Sequence, residues 1–370
     1  MRKLSPRGHQ RFIATPLRIY TGSSDTSLYF EYWPFSSMLV RDDANGGTEG
    51  GEATKVKKTT QLKELLLSPR TELMPFGSLP IHAQMAQRAG FPAFEVSGAH
   101  SAWWSWGVAD IGYLTMTEVV QHAATIARSV DIPIYCDADT AFGFGSPMSI
   151  QRTVKEFLAA GVAGIHIEDQ KDPKKGGGLR GIELASDEEA VLRLRAAVAA
   201  KDEIDPDFVI VARTDGFSAA GGTLNEAIRR GRLYMEETGV DAIFYEGLQS
   251  WGDAERAISQ TPGPAYAIVN RSAGRAPSVE DLSRIGQRMN IVPFTLPGVQ
   301  EVWDLLLRVR ETGELGPMYD YYDEMASHKG TSRDTGIGDI FTSPNSEDAR
   351  RLERLYSPAE SWRDYGSDDA

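Results

Sequence analysis

Residues 132–145 read IPIYCDADTAFGFG, an apolar run that leads into two aspartates and then two glycines. The apolar run is typical of a buried strand. Asp137 and Asp139 are separated by one residue, so on a strand both side chains point to the same side. Carboxylates this close raise each other's pKa unless a cation or several hydrogen-bond donors compensate. The pair is therefore a candidate site for a hard cation such as Mg²⁺. The alternative is a solvated aspartate beside one that caps a helix.

The composition is that of an ordinary globular protein. Of the 370 residues, 41% are hydrophobic and 25% charged, which fits one large α/β domain with tails. The net charge of −13 argues against nucleic acid or an anionic membrane as the main partner. A small anionic substrate stays open, because a local cation can reverse the field inside a site. The sequence predicts neither a signal peptide nor a membrane-spanning helix. The single cysteine, Cys136, excludes an internal disulfide and predicts a cytoplasmic location.

Short apolar segments alternate with helical ones from residue 59 onward. Besides the strand of the acidic pair, the predicted strands are 73–77, 93–98, 164–169, 208–213, 242–246, 265–270 and 290–294. The predicted helices are 61–67, 81–88, 117–128, 149–160, 188–201 and 224–238. This rhythm predicts an α/β fold, a parallel (β/α)8 TIM-type barrel over residues 59–325. We expect residues 1–58 to form a partly flexible N-terminal extension. Residues 326–370 are expected to form an acidic C-terminal tail with one helix, 346–356.

Most of the predicted strands end in a group that can bind a ligand or catalyse a reaction. These residues are Ser97, Asp137 with Asp139, Glu168, Arg213, Glu246 and Asn270. A closed parallel barrel brings such strand ends together at one mouth. The carboxylates and the guanidinium would be costly to bury there without a divalent ion and an anionic ligand. Strands also end in polar residues because loops begin there, but the repetition along the chain favours an active site.

In this order and at these strand ends, the residues resemble the isocitrate lyase and phosphoenolpyruvate mutase superfamily, over residues 62–325. The resemblance is carried by the motifs Ser97–Ala99, Gly107–Asp110, Asp137–Thr140, His166–Gln170, Ala212–Asp215, Glu246 and Asn270. It implies a barrel that binds Mg²⁺, with Mn²⁺ as an alternative, and a small anionic 2-oxo- or 2-hydroxycarboxylate. Members make, break or rearrange a C–C or P–C bond. They are usually homotetramers, dimers of dimers in which a C-terminal helix is exchanged between subunits.

The resemblance also implies roles for the acidic residues. Asp137 would ligate Mg²⁺ directly, while Asp139 and Glu168 would hold its water ligands. Asp110 would lie near the ion. Such a set suits Mg²⁺, which dehydrates reluctantly and keeps several waters. We therefore predict a metal site at these carboxylates.

Further residues would bind the substrate. By the same resemblance, Ser97, Gly98 and Ala99 would offer donors to the substrate carboxylate, and Asn270 would line the same site. Arg213 would hold the developing enolate or a distal anion with its rigid charged fork. Breaking a bond next to a carbonyl group leaves an enolate, whose charge Mg²⁺ and Arg213 would stabilise.

One loop departs from the pattern of the superfamily. Its lyases carry a loop of the type K-K-C-G-H, in which the cysteine handles the proton at the cleaved carbon. Here residues 174–178 read KKGGG, so that Gly176 occupies the cysteine position and Gly178 the histidine position. Cys136 lies on the predicted third strand and is interpreted as a small core residue rather than a substitute. The usual isocitrate or methylisocitrate lyase mechanism is therefore not expected.

The loop that remains, residues 171–180, is basic and rich in glycine. We expect it to be flexible and to close over an anionic substrate, with Lys174, Gly176 and Gly177 in contact with that substrate. Without the thiol, another group must move the proton. The candidate catalytic residues share a predicted place at the barrel mouth and are His166, Glu246, Asp110 and Arg213.

These observations predict a Mg²⁺-dependent lyase that cleaves or forms a C–C bond in a 2-hydroxy- or 2-oxo-carboxylate, through an enolate-like intermediate. Two alternatives need no loop cysteine: a phosphonomutase or phosphonopyruvate hydrolase, and an oxaloacetate-type decarboxylase. A third is a barrel that binds a dicarboxylate without catalysis, although a pure binder needs fewer charged residues than are present here.

The segment 102–106, which reads AWWSW, is unusually bulky for this position. Its tryptophans either wall a pocket for a larger apolar substrate or pack against the N-terminal extension. Packing is the favoured interpretation, because buried aromatic residues mostly belong to the core.

Overall fold

Eight parallel strands form the centre of the computed structural model, which describes residues 56–179, 181–269, 276–335 and 346–363. The strands are β1 Glu72–Gly77, β2 Phe94–Val96, β3 Ile134–Asp137, β4 Gly164–Glu168, β5 Val209–Thr214, β6 Ala242–Leu248, β7 Ala265–Val269 and β8 Met289–Val292. Their order in the sheet is β7-β6-β5-β4-β3-β2-β1-β8. Every neighbouring pair is parallel, as expected when helices return the chain between strands.

The sheet closes on itself through the side chain of Gln287, just before β8. Gln287 forms a parallel bridge with Ala265, at the start of β7. Its amide nitrogen donates to the carbonyl of Ala267 at 3.1 Å, and its Oε1 accepts from the amide of Ala267 at 3.2 Å. A buried side-chain amide thus satisfies backbone groups where β7 and β8 meet. The result is a nearly closed barrel, which confirms the predicted α/β TIM-type fold.

Helices alternate with the strands along the chain. They are α1 Lys58–Leu67, α2 Pro80–Arg88, α3 Gly98–His100, α4 Met116–Arg128, α5 Pro147–Ala159, α6 Asp187–Ile204, α7 Leu224–Thr238, α8 Trp251–Ser259, α9 Val279–Arg284, α10 Thr295–Thr312, α11 Gly316–Ser327 and α12 Ser346–Tyr356. A π-helical turn, Ser101–Trp106, follows α3, and a 3₁₀ turn, Ala359–Ser361, follows α12. The predicted helices are all found close to their predicted bounds. Helices α3 and α8 to α11 are additional.

Side chains alternate across the sheet and build two apolar layers. On β3, Ile134 and Cys136 face outward and join the layer between the strands and the helices. Tyr135 faces inward and packs in the barrel interior with Phe244 and Tyr266. Cys136 is fully buried in the outer layer, which confirms its interpretation as a core residue.

Helix α1 covers the amino-terminal end of the barrel. Leu62 and Leu66 are fully buried and belong to the inner apolar layer. A Cβ at Gly164, where β4 begins, would stand 2.9 Å from Leu62 Cδ2. Thr59 Oγ1 donates to Asp205 Oδ2 at 3.0 Å and helps to fix the helix. A ligand can therefore approach the barrel interior from the opposite, carboxyl end, where the polar strand ends lie.

The predicted N-terminal extension, 1–58, lies almost wholly outside the described residues, and so does Asn270. The predicted limits of the barrel, 59–325, and of the tail, 326–370, stay predictions. The helix predicted within that tail is found as α12. Within the described ranges, no helix is both long and apolar enough to cross a membrane.

Candidate active site

Ionisable side chains from four neighbouring strands collect at the carboxyl end of the barrel. They occupy inward-facing positions and are buried: Asp137 of β3, His166 and Glu168 of β4, Arg213 of β5 and Glu246 of β6. The register explains their proximity, because Asp137 pairs with His166, and Glu168 with Arg213. The structure therefore brings together five of the residues that the sequence analysis places at the mouth.

Asp137 is surrounded by donors and cations. His166 Nε2 lies 3.1 Å from Asp137 Oδ1, and the amide of Asp139 donates to the same oxygen at 2.9 Å. Burial alone would raise the pKa of Asp137, but His166, Lys174 and Arg213 lower it far below its usual value. The His166 ring is held in place by Tyr135 and Phe244, whose centroids lie 5.4 and 5.3 Å away. Asp137 is consequently ionised at any physiological pH.

Asp139 follows β3 in a turn of left-handed backbone. Its φ is 47°, and Ala141 and Phe142 also have positive φ values, a conformation that non-glycine residues adopt only where surrounding contacts hold it. The turn brings the Asp139 carboxylate to the mouth, where Lys174 Nζ lies 2.6 Å from its Oδ1. Burial raises the pKa of Asp139 to about 6, although Lys174 opposes this rise.

Lys174 is buried in this acidic cluster rather than exposed on a loop. Its ammonium group donates a hydrogen bond to Asp110 Oδ1 as well as contacting Asp139. Burial would lower the pKa of Lys174, but Asp139, Glu168, Asp137 and Asp110 raise it well above its ordinary value. Lys174 therefore carries a positive charge among the carboxylates for which a metal ion is predicted.

Arg213 forms a bidentate ion pair with Asp215. Its Nε and Nη2 each donate to an oxygen of Asp215 at 3.0 Å, while Nη1 lies 3.3 Å from Glu168 Oε2. Burial would lower the pKa of Arg213, but Asp215, Glu168 and Glu246 raise it. The guanidinium is thus fixed, charged and aimed at the mouth. Asp215 is not among the predicted site residues, although it stands two positions after Arg213 in the sequence.

Behind this pair lies a buried network centred on Asp169. Its carboxylate accepts from Thr214 Oγ1 at 2.8 Å, from the amide of Asp215 at 2.9 Å and from the hydroxyl of Tyr234 at 2.8 Å. Arg230 of α7 donates to the Tyr234 hydroxyl at 2.8 Å. The network holds Asp215, and through it Arg213. Sequence reasoning missed it because it depends on contacts between α7 and two strands.

Glu246 lies beside Arg213 and directly under the loop. A Cβ at Gly177 would stand 2.6 Å from Glu246 Oε1 and 2.8 Å from Arg213 Nη2, so a glycine is needed for this close approach. Burial raises the pKa of Glu246 to about 7; Arg213 opposes the rise, and Asp215 adds to it. Glu246 is therefore a carboxyl group that can both take and give a proton near neutral pH.

The loop at 171–179 is folded onto the mouth. The amide of Gly176 donates to the carbonyl of Asp110 at 2.8 Å. The Gln170 side chain pairs with the backbone of Lys175, with both hydrogen bonds at 2.9 Å. Lys174 is thereby directed at carboxylates. Its predicted contact with the substrate, like those of Gly176 and Gly177, stays a prediction.

The segment after β2 carries the predicted donors for a carboxylate. Ser97 caps α3, and its Oγ accepts from the amide of His100 at 3.3 Å. Gly98 lies close to the metal-site carboxylate, since a Cβ there would stand 2.5 Å from Asp137 Oδ2. Ala99 follows within α3. Gly98 thus packs directly against Asp137, and the predicted contacts of Ser97, Gly98 and Ala99 with the substrate carboxylate stay predictions.

The tryptophans of the π-helical turn pack against histidines. Trp104 stacks on His100 with ring centroids 4.0 Å apart, and Trp106 meets His122 edge-on at 4.7 Å. Burial, with the neighbouring His82, lowers the pKa of His100 to about 4, so this ring is neutral at physiological pH. Trp103 is half exposed. Packing is thus observed for Trp104 and Trp106, although the predicted partner, the N-terminal extension, lies outside the described residues.

The carboxylates fit a divalent ion that keeps its water ligands. Both carboxylate oxygens of Glu168 are buried without a hydrogen-bond partner, and its contact with Arg213 is an ion pair only. Asp110, Asp137 and Asp139 line one small pocket together with Lys174. In the described ranges, no three His, Cys, Asp or Glu side chains converge closely enough to hold an ion alone. An ion bound here would complete its shell with water, as Mg²⁺ does.

A parallel barrel with carboxylates and an arginine at its carboxyl end defines the class of the protein. It is the superfamily of lyases and mutases that act on carboxylate substrates, as predicted. The chain belongs to the phosphoenolpyruvate phosphomutase family: the family model described as "Phosphoenolpyruvate phosphomutase" matches residues 79–296.

Characterised relatives agree with this assignment. The chain is 36% identical to 2,3-dimethylmalate lyase of Eubacterium barkeri, over 63% of this chain and 78% of that protein. It is 37% identical to the probable 2-methylisocitrate lyase 1 of Corynebacterium glutamicum, over 70% of this chain and 83% of that protein. Among solved structures, phosphonopyruvate hydrolase in complex with oxalate and Mg²⁺ matches with a TM-score of 0.65 and 27% identity, covering 81% and 99% of the two chains. The prediction of an enzyme of this superfamily is therefore confirmed.

Proposed function

We propose that this protein is a Mg²⁺-dependent lyase that cleaves, or in reverse forms, a C–C bond in a small 2-hydroxy- or 2-oxo-carboxylate. The observation that carries the proposal is the mouth itself, where buried carboxylates stand beside a fixed, charged arginine. Such a set of charges is costly to bury and suits one purpose, the binding of a divalent ion together with an anion. The lyase names of the relatives support the reaction type.

In the proposed site, Asp137 would hold the ion directly, while Asp139 and Glu168 would hold its waters. Asp137 is suited to direct contact with the ion because it stays ionised. Glu168 is suited to holding the water ligands because its oxygens are free of hydrogen bonds. When bound, Mg²⁺ would polarise the oxygens of the substrate and offset the negative charge that develops on them. Mn²⁺ would serve the same role.

The chain's own residues would do the rest. Arg213, held by Asp215 and Glu168, would place positive charge where the enolate forms, without having to reorganise during the reaction. Glu246, with its pKa of about 7, would accept the proton of a substrate 2-hydroxyl group as the C–C bond breaks. His166 would orient Asp137, and Ser97, Gly98, Ala99 and Asn270 would line the place of the substrate carboxylate.

A second candidate is a phosphonopyruvate-type reaction at a P–C bond. It is favoured by the loop, in which Gly176 stands where lyases of the superfamily carry cysteine, and by the similarity to phosphonopyruvate hydrolase. A P–C reaction does not need a proton donor at that position. We rank it second because the sequence around Ser97–Asp110 has the spacing of the lyases.

We also propose that the protein works as a homotetramer, a dimer of dimers with an exchanged C-terminal helix. Support comes from α10, an 18-residue helix in which Thr295 alone is buried. Its apolar side chains Leu296, Val299, Trp303 and Leu306 are each at least half exposed and recur every three or four residues, along one face. Isolated apolar side chains on a surface are ordinary, but a whole face of this kind marks an interface.

The reaction can be tested by incubating the purified protein with Mg²⁺ and a panel of acids. The panel contains 2-methylisocitrate, 2,3-dimethylmalate, oxaloacetate and phosphonopyruvate, and products are read by ¹H and ³¹P NMR. We expect cleavage of a 2-hydroxy acid to a 2-oxo acid and a second carboxylate, dependent on Mg²⁺. Release of phosphate from phosphonopyruvate, with no C–C cleavage, would select the second candidate. A wild-type rate on methylisocitrate equal to that of ordinary lyases would show that the loop cysteine is dispensable.

A further inference from the structure

Glu95 carries a buried carboxyl group inside the barrel, and it has no role in the site described above. It lies in the middle of β2, with only 5% of its surface exposed. The register places it beside Phe76 of β1 and Tyr135 of β3. Because its neighbours Phe94 and Val96 face the outer layer, Glu95 faces the barrel interior. An acidic side chain at such a position is rare unless it is paired or functional.

The Glu95 carboxyl group lacks the partners that a purely structural acid would have. Its Oε2 is buried and has no hydrogen-bond partner. The hydroxyls of Tyr135 and Tyr266, which lie nearby in the barrel interior, are 2.9 Å apart and hydrogen-bond to each other. Leaving a buried polar atom unpaired destabilises a fold, so such an atom in a native structure calls for an explanation, and a catalytic role is one.

Charged groups from three other strands act on Glu95. Asp137 of β3 and Glu246 of β6 add to the effect of burial, which raises the pKa of Glu95 well above its ordinary value, and Arg213 of β5 opposes them. Tyr135 and Cys136 of β3 and Tyr266 of β7 also interact with it. Burial is the largest cause, and it favours the neutral carboxylic acid, which is the form that can donate a proton.

The two cations at the mouth are committed elsewhere. Lys174 is bound to Asp110 and Asp139, and Arg213 is paired with Asp215. Both cations have raised pKa values and hold their protons. Loop residue 176 is a glycine with no proton to give. A lyase at this site nevertheless has to protonate the carbon from which the bonded fragment departs.

We propose that Glu95 is a catalytic residue that contacts the substrate from the barrel interior and donates the proton taken up by the cleaved carbon. This inference rests on the proposed lyase function. As the C–C bond breaks, its electron pair passes to one fragment as an enolate, and the hydroxyl proton of the other fragment passes to Glu246 as its carbonyl forms. The enolate carbon then takes the proton of Glu95. Glu95 regains a proton, and Glu246 loses one, by exchange with solvent before the next turnover, so no oxidant or reductant is needed.

The test uses full-length Glu95→Gln with Mg²⁺ and the 2-hydroxy acid that the wild-type protein cleaves. Glutamine keeps the shape of the side chain but has no acidic proton. We expect kcat to fall by about 100-fold or more, as for loss of a general acid, while the affinity for oxalate measured by calorimetry changes by less than about threefold. Glu95→Asp keeps an acid and should recover part of the rate. Glu72→Gln, at the amino-terminal end of β1, is the matched control and should retain wild-type kinetics.

Four results would overturn the inference. Wild-type kcat in Glu95→Gln would show that Glu95 gives no proton, and the lyase function would stand without it. Loss of oxalate affinity as large as the loss of kcat would assign Glu95 to binding or folding. If Glu95→Gln does not fold, Glu95→Leu decides, because leucine has no proton to give and wild-type kcat in that variant would remove Glu95 from the mechanism. If the wild-type protein cleaves no 2-hydroxy acid, the proposed function fails, and the role of Glu95 fails with it.

Discussion

The residues at the barrel mouth hold one another in defined charge states. Arg213 lies between Asp215 and Glu168, and Lys174 lies between Asp110 and Asp139. In a buried space these pairs are sensitive to small changes, because removing one partner leaves an uncompensated charge. Geometry therefore matters as much as charge at each position.

Replacing Arg213 with lysine tests whether that geometry is used. Lysine keeps the positive charge but loses the planar fork that pairs with both oxygens of Asp215. We expect kcat/KM to fall by about 10- to 1,000-fold, which corresponds to roughly 1.4–4 kcal/mol of transition-state stabilisation. Steady-state kinetics on the identified substrate measure the effect. Unchanged kinetics in Arg213→Lys would assign the residue to structure alone.

Glu246 should make stability depend on pH. Its pKa is raised from 4.5 in the unfolded reference to about 7 in the fold, so the folded state prefers the protonated form. The resulting stabilisation is complete below about pH 4.5 and is lost as pH rises through about 7. Between pH 5 and 8, this titration should lower the unfolding free energy of the wild-type protein by up to about 3 kcal/mol. Glu246→Gln lacks the titrating group and should not show this part of the decrease.

Urea unfolding of the metal-free proteins at these two pH values measures this difference. Glu255→Gln, on the exposed side of α8, is the control and should follow the wild-type pH dependence. If Glu246→Gln also follows it, Glu246 is ionised in the folded state at pH 5, and its role as a base near neutral pH is wrong.

Positions at strand ends were predictable because a strand has a period of two and a parallel barrel gathers its carboxyl ends. Asp137, Glu168, Arg213 and Glu246 follow from this rule alone. The residues that pair with them cannot be predicted from this rule. Lys174 is inserted among the carboxylates by the fold of its loop, and that contact depends on tertiary packing, which a local pattern does not encode.

At the scale of elements, the loop at 171–179 and the turn after β3 shape the site. The loop approaches Glu246 and Arg213 so closely at Gly177 that a methyl group would collide with both. The glycine run thus serves close packing over the mouth. The glycine-rich sequence predicted a flexible loop. The structure gives a second reason for a glycine at position 177, which is that no side chain fits between the loop and the two charged residues.

Gly177→Ala should weaken this closure. The added Cβ would stand 2.6 Å from Glu246 Oε1, so either the loop or the two side chains must shift. A displacement of about 1 Å costs on the order of 100-fold in rate, and we expect a loss of kcat/KM of about that size. Leu179→Ala, at an exposed position of the same loop, is the control. Equal kinetics for both variants would show that the loop does not close over the reacting substrate.

The elements of the barrel were predictable from apolar rhythm and cap residues. Helix α4, for example, begins with a capping box between Thr115 and Glu118, and α12 occupies the predicted residues. Helices α10 and α11 were not predicted, although the apolar residues of α10 recur every three or four positions, which is the pattern of an amphipathic helix. The π-helical turn at Ser101–Trp106 escaped because stacking of Trp104 on His100 stabilises it, and that contact is not visible in the pattern.

At the scale of the molecule, the exposed face of α10 predicts assembly. Replacing both Trp303 and Leu306 with glutamate would place charge on side chains that are 55% and 59% exposed in the isolated chain. If subunits pack there, burying these charges is prohibitive, and the assembly of the variant should be smaller than that of the wild-type protein. Size-exclusion chromatography with light scattering gives the masses.

Leu192→Glu on α6, which replaces a leucine that is also 55% exposed, should leave the mass unchanged. A double variant at Trp303 and Leu306 that keeps the wild-type mass would place the subunit contacts elsewhere. A wild-type protein that is monomeric would contradict the proposed tetramer altogether.

The account as a whole rests on the claim that the acidic mouth binds an enolate-like dianion through a divalent ion. Oxalate is the simplest mimic of such a dianion, and isothermal titration calorimetry with oxalate tests the claim directly. We expect tight binding to the wild-type protein with Mg²⁺, none with EDTA, and none to Asp137→Ala even with Mg²⁺, while circular dichroism shows that the variant keeps its fold. Equal oxalate affinity with Mg²⁺ and with EDTA, or in wild type and Asp137→Ala, would contradict the metal site and the mechanism built on it.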